Sequence, residues 1–114
     1  MKPLTTITIN IKGRDWHFKL LSDRAFDKLH NTEELRAAAM TIPHQYEVHF
    51  RKTDWTTICI KHELGHVLHF ASLVSSADLT VADTEELFCV IIGHHLEEIL
   101  LWSNQVTEKF LNYK

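Results

Sequence analysis

Residues 5–11 alternate with a period of two, Thr5, Ile7, Ile9 and Ile11 on one side against Thr6, Thr8 and Asn10 on the other. That period belongs to a β-strand. A polar "KGRD" break follows, then "WHFKLLS", so residues 4–22 predict a hairpin. Asp23 stands where an N-cap would precede a short helix, "RAFDKLH", and "NTEELRAAAM" carries weaker helical signals. Around Pro43 the chain reads strand, turn, strand. In the second strand Tyr46, Val48 and Phe50 share one face while Glu47 and His49 share the other.

The period changes at about Asp54. From there to Val74 the residues Ile60, Leu64, Val67, Leu68, Ala71 and Val74 fall on one broad face at 100° per residue. Trp55, Cys59, His62, His66, His69 and Leu73 line the opposite side, and only Lys61, Gly65 and Ser72 mark a narrow polar edge. A helix with so little polar surface is expected at the centre of the fold, with its histidines pointing inward. After "SSADLTVAD" a second long helix is expected from about Asp83 to Trp102, with room to continue through "VTEKFLNYK". Strands dominate the first half and helices the second, with no βαβ rhythm. The expected class is therefore α+β: a small antiparallel or mixed sheet, a central helix and a second long C-terminal helix.

Length and composition narrow the picture without changing it. The 114 residues form one expected domain, 1–114, with 45% apolar and 24% charged residues. A net charge of −3, with Arg51, Lys52 and Lys61 scattered, argues against nucleic acid and anionic membranes as partners. The longest apolar run, Leu87 to Ile92, is far too short to span a bilayer. Two cysteines, Cys59 and Cys89, and no apolar leader at the N-terminus lead to the expectation of a soluble, cytoplasmic protein. The one compositional excess is histidine, at nine residues.

Four of the groups that matter fall in "KHELGHVLHF", residues 61–70. His62 and His66 are four apart, so on a helix both rings leave the same face one turn apart and can reach one ion. Glu63, about 100° round from His62, sits beside such an ion, where it can take a proton from a water. This is the H-E-x-x-H arrangement of zinc peptidases. A catalytic zinc needs a third protein ligand, and the candidates are Glu85, Glu86, His69, His94 and His95. Glu85 heads an apolar stripe of Phe88, Cys89, Ile92, Leu96 and Ile99, and a carboxylate turned to a core needs a partner. Glu86 has another task open to it, as the N3 member of a capping box with Asp83. His69 follows in series on the same helix, which suits a supporting role. His94 and His95 fall away from Glu85.

With these residues assembled, the chain resembles compact zinc metallopeptidases of the gluzincin type, in particular small phage- and bacteria-borne domains with a "HELGH"-like helix. The resemblance covers roughly residues 38–100. It implies His62, His66 and Glu85 as ligands of Zn2+, Glu63 as general base, and a protein or peptide substrate; Tyr46–Phe50 reads either as an edge strand with which an extended substrate could pair or as a core strand. Related domains often carry an acidic residue one turn after the ligand Glu, where this chain has Cys89. A thiolate there could instead act as a fourth ligand and close the site. A second donor for the reaction intermediate, His49, His69 or Tyr113, is left open. The rival reading is a non-enzymatic, metal-stabilised interaction domain with a degenerate peptidase fold. Small size favours it, and the intact Glu63 argues against it.

Overall fold

The computed structural model describes residues 2–30, 37–73 and 81–114, in the last two segments without the side chains of 72, 73, 81–85, 87, 88 and 90. Its elements in chain order are β1 (Thr5–Ile11), β2 (Arg14–Leu21), α1 (Asp23–His30), β3 (Ala39–Ile42), β4 (Glu47–Arg51), α2 (Thr57–Leu73) and α3 (Val81–Leu111), with a 3-10 turn at Pro43–Gln45. The strands form one mixed sheet in the order β1-β2-β4-β3. The class is α+β.

β1 and β2 are the expected hairpin, antiparallel and in register from Thr5↔Leu20 to Ile11↔Arg14. Lys12 and Gly13 make its two-residue turn, both at positive φ (53° and 84°). Such a turn matches the twist of the strands, and Gly13 takes the left-handed conformation without a side-chain penalty. Asn10 locks it, with Oδ1 accepting from the Gly13 N–H at 3.3 Å and Nδ2 donating to Asp15 at 3.0 Å.

β4 runs parallel to β2 on one side and antiparallel to β3 on the other. The segment Tyr46–Phe50 is therefore not an edge strand: of the two readings open for it the core strand holds, and no substrate can pair along it. Among the described residues the edges belong to β1 and β3. The physical reason lies in burial on both faces. Val48 and Phe50 are fully buried on one face, and His49 and Arg51 are buried on the other. Only an inner strand is covered on both sides.

The main core lies on the first face. Ile9, Ile11, Trp16, Phe18, Leu20, Val48 and Phe50 from the sheet meet Ile60, Leu64, Val67 and Leu68 of α2 and Ile91, Val106 and Phe110 of α3. The four α2 residues are those whose spacing placed them on one face, and all are fully buried. Thr56 caps α2, its Oγ1 accepting from the Cys59 N–H at 3.1 Å, so the helix starts at Thr57 rather than near Asp54.

On the opposite face α1 packs with Leu21, Ala25 and Phe26. Its cap is Ser22, whose Oγ accepts from the Ala25 N–H at 3.2 Å. Asp23, the expected cap, instead accepts from the Thr53 hydroxyl at 2.6 Å and holds the turn after β4. The C-terminal residue of α1 closes a polar chain across the sheet. His30 Nε2 lies 2.9 Å from His49 Nδ1, His49 Nε2 lies 2.7 Å from Glu47 Oε1, and Lys19 Nζ lies 3.1 Å from the same oxygen. The carboxylate accepts from His49 Nε2–H, and in the neutral form of that ring a bare Nδ1 faces His30 Nε2 and can accept from it. Two protonated rings would set N–H against N–H.

Burial first, and the His49 charge second, push the His30 pKa below its ordinary 6.5. Burial raises the Glu47 carboxyl, but bonds from His49 and Lys19 outweigh it and bring the group below its ordinary 4.5. Both groups bind protons less readily folded than unfolded, so their contributions are complete above pH 6.5 and 4.5 and are lost as pH falls from those values towards the folded ones. In thermal melts between pH 7 and 5 the stability of wild type relative to a His30→Gln protein is expected to fall on acidification from pH 6.5, by less than about 1.4 kcal/mol per pH unit, the limit for one proton. A difference that does not change with pH would remove His30 as its source.

α3 is one helix of 31 residues, longer than the expected span and starting before it. Asp83 and Glu86 therefore lie inside the helix, not at its cap, and Glu86 is exposed. The apolar stripe expected to face the core also differs. Among its described residues Cys89 is exposed, Ile92 and Leu96 are more than half exposed, and Ile99 packs against the core. The buried residues described on this helix include Ile91, Val106 and Phe110 instead.

Candidate metal centre

α2 turns its apolar face to the sheet, and the opposite side carries His62 and His66 into a cleft walled by β3. The cleft encloses about 500 Å³ and is lined by Ala39, Met40 and Thr41 from the strand as well as by His69 and Phe70 from the helix. Both His62 and His66 are exposed, not inward-pointing. A helix lying on a sheet can bury only one broad face, and Ile60, Leu64, Val67 and Leu68 occupy it.

The two Nε2 atoms are 3.1 Å apart, with the rings at 78°. Ligand nitrogens bonded at about 2.0–2.1 Å to one tetrahedral ion lie roughly 3.3 Å apart, so the spacing of the pair is close to the one a single zinc requires. In the absence of an ion the same approach is an N–H···N hydrogen bond in which one ring donates. Glu63 completes the group, with a carboxylate oxygen and the two nitrogens within 4.8 Å of one another.

Glu63 is 6% exposed, and its Oε2 is buried without a hydrogen-bond partner. Burial raises its pKa above the ordinary 4.5, partly offset by His66 and His62. The Thr41 hydroxyl pulls the same way as the histidines, although its approach falls short of a formed hydrogen bond. A buried carboxylate left incompletely satisfied is costly. The fold supports it because α2 is fixed along its whole buried face.

No family model, curated protein or solved structure matches this chain. The site is therefore read from its own atoms.

Of the other candidates, His69 lines the same cleft but is not part of the close group. His94 is exposed, and His95 Nδ1 lies 2.9 Å from Glu98 Oε1. Cys59 and Cys89 are both free thiols. His49 is committed to His30 and Glu47 on the far face of the sheet and cannot serve the cleft. Tyr113 is exposed in the C-terminal tail.

The side chain of Glu85 lies outside the described residues, but its place along α3 carries information. Thr57 Oγ1 and Thr107 Oγ1 meet at 3.2 Å, tying the start of α2 to the last third of α3. At 1.5 Å per residue, Glu85 lies roughly 33 Å of helix from Thr107, and His66 roughly 14 Å from Thr57. Glu85 thus stands well beyond the level of the histidine pair. The third ligand is the part of the centre that the described structure does not bring together. The wall formed by β3 and the role of Phe70 were missed in the sequence. Phe70 could have been found from its position four residues after His66; the wall could not, because it depends on strand order.

Proposed function

We propose that this chain is a zinc-dependent metallopeptidase domain, soluble and cytoplasmic, with His62 and His66 holding the ion and Glu63 as general base. The observation that carries this reading is the buried, incompletely satisfied Glu63 carboxylate beside two converging imidazoles. A bound zinc ion would supply Lewis acidity, making water a better nucleophile and polarising the scissile carbonyl. Glu63 accepts the proton released by that water and returns it to the leaving amine. Its raised affinity for a proton suits both halves of that task. The third ligand that this reading needs is not brought to the pair among the described residues, and Glu85 is the candidate put to the test below. The substrate lies extended against β3, pairing with its outer edge by β-augmentation.

No described helix is long and apolar enough to cross a membrane, and both cysteines are free thiols, which suits a reducing compartment. The rival, a silent metal-stabilised interaction domain, has no use for a strained carboxylate beside the ion.

Elemental analysis of protein purified without added metal is expected to find one zinc per chain. His62→Ala, His66→Ala and Glu85→Ala should each weaken binding by more than the roughly 10–100-fold that loss of a residue merely orienting a ligand costs. Tight zinc in the Glu85 variant would transfer the third position to Glu86 or a histidine. A wild-type chain without affinity for zinc would end the proposal.

A further inference from the structure

A second cavity adjoins the metal cleft. It encloses about 170 Å³, and Phe70 lines both. Phe70 follows His66 by one helical turn, so the two spaces are separated by roughly 6 Å along α2. The other walls come from the N-terminal hairpin and from the turn before β4. Trp16 and Tyr46 meet edge to face at 5.3 Å, Trp16 and Phe70 at 6.0 Å and Tyr46 and Phe70 at 6.5 Å, so the three rings pack into one aromatic wall of the cavity. Tyr46 is held at φ 54°, in the left-handed region that a tyrosine seldom adopts. Its ring is sandwiched by a cation, with the Arg14 guanidinium carbon 4.3 Å from the centroid.

Volume and charge together define an occupant. A cavity of about 150 Å³ with apolar walls holds a single benzene-sized group. This one therefore takes one aliphatic or aromatic side chain and no more. The charged residues lining it are Lys12 and Arg14, both positive, in a chain whose net charge is −3. An apolar side chain accompanied by a carboxylate satisfies both features.

We infer that this cavity is a subsite for the C-terminal residue of a peptide, with its apolar side chain against Trp16, Tyr46 and Phe70 and its α-carboxylate against Arg14 and Lys12. The inference rests on the peptidase reading for its connection to chemistry. At about 3.3 Å per extended residue, a terminal residue seated there places the bond one or two residues upstream over the metal cleft. The domain then trims short apolar C-terminal pieces from peptides rather than cutting long chains internally.

The test separates binding from hydrolysis. Metal-free full-length protein is titrated with N-acetyl-phenylalanine, N-acetyl-leucine and their amides while amide and Trp indole resonances are followed by NMR. Shifts centred on Trp16, Tyr46 and Phe70 are expected. The acids should bind roughly two- to fivefold more tightly than the amides, the range of an exposed ion pair. Arg14→Ala, at an exposed position, should erase that difference, and Ala71→Phe should fill the space and abolish the shifts. Equal binding of acid and amide, or shifts elsewhere, would overturn the subsite. Zinc-loaded protein is then given peptides with free or amidated apolar C-termini. Hydrolysis without preference for the free acid also counts against the subsite. Ligand binding at Trp16 with no Glu63-dependent hydrolysis would instead sink the peptidase reading and leave a carboxylate-recognition site.

Discussion

Glu63→Gln is expected to keep zinc on the chain while lowering peptide hydrolysis by about 10²–10⁴-fold, the usual share of a general base. The same change should make the metal-free protein more stable by about 1–3 kcal/mol, the cost of an unsatisfied buried polar group. The two effects have one cause. The carboxylate is 6% exposed and one of its oxygens has no partner, so its charged form is held in a place that burial disfavours. Gln has the same shape without the charge, and its amide can donate to Thr41 Oγ1, which is itself buried without a partner. The direction with pH is fixed by the raised pKa. The folded chain holds the Glu63 proton more tightly than the unfolded chain, so the carboxylate exacts no penalty below pH 4.5 and an increasing one as pH rises above it. Urea denaturation of both metal-free proteins should therefore show a difference at pH 7 that closes by pH 4. Unchanged hydrolysis would remove Glu63 from the mechanism. Equal stability at pH 7 would mean that the carboxylate carries no strain, and the main support for a catalytic rather than structural centre would go with it.

Periodicity reports where one element buries its apolar atoms, and it placed the β1–β2 hairpin, the strand–turn–strand around Pro43 and the buried face of α2. It located His62, Glu63 and His66 as a unit, because i, i+4 geometry is local. What it could not give is anything decided by a second element. Strand order made β3 the wall of the cleft and took β4 into the interior, and no pattern within "YEVHF" distinguishes an edge strand from an inner one. On α3 the apolar residues are too many for one face to be chosen by spacing. Ile91, Val106 and Phe110 are buried while Ile92 and Leu96 are not, because the packing of α3 against α2 and the sheet selects the ridge. Ser22 won the cap from Asp23 for a similar reason, since Thr53, thirty residues away, claims the Asp23 carboxylate.

Arg51→Ala is expected to destabilise the fold by about 2–5 kcal/mol, the range for truncating a long buried side chain and a large part of the 5–15 kcal/mol that a domain of this size has. Arg51 is fully buried at the end of β4, and its guanidinium joins three segments. Nη2 donates to Asp27 on α1 at 2.6 Å, Nε donates to the Ala37 carbonyl before β3 at 3.1 Å, and Asp54 lies at 3.6 Å in the turn leading to α2. Its carbon lies 4.6 Å from the centre of the Phe26 ring. Truncation leaves a cavity under α1 and frees a buried carbonyl, and both losses act on the strand that walls the metal cleft. Arg51→Met separates volume from charge. The Asp27 side chain is 46% exposed and stays solvated without the guanidinium, so Met should stay within about 1.5 kcal/mol of wild type if packing dominates. Urea denaturation of the three proteins measures this, with zinc titration as the second readout. If Met proves as damaging as Ala, then the bonds to Asp27 and Ala37, not the space filled, hold α1 and β3 to the sheet. Weakened zinc binding by the Met protein would then show that the cleft depends on that bonded strand position.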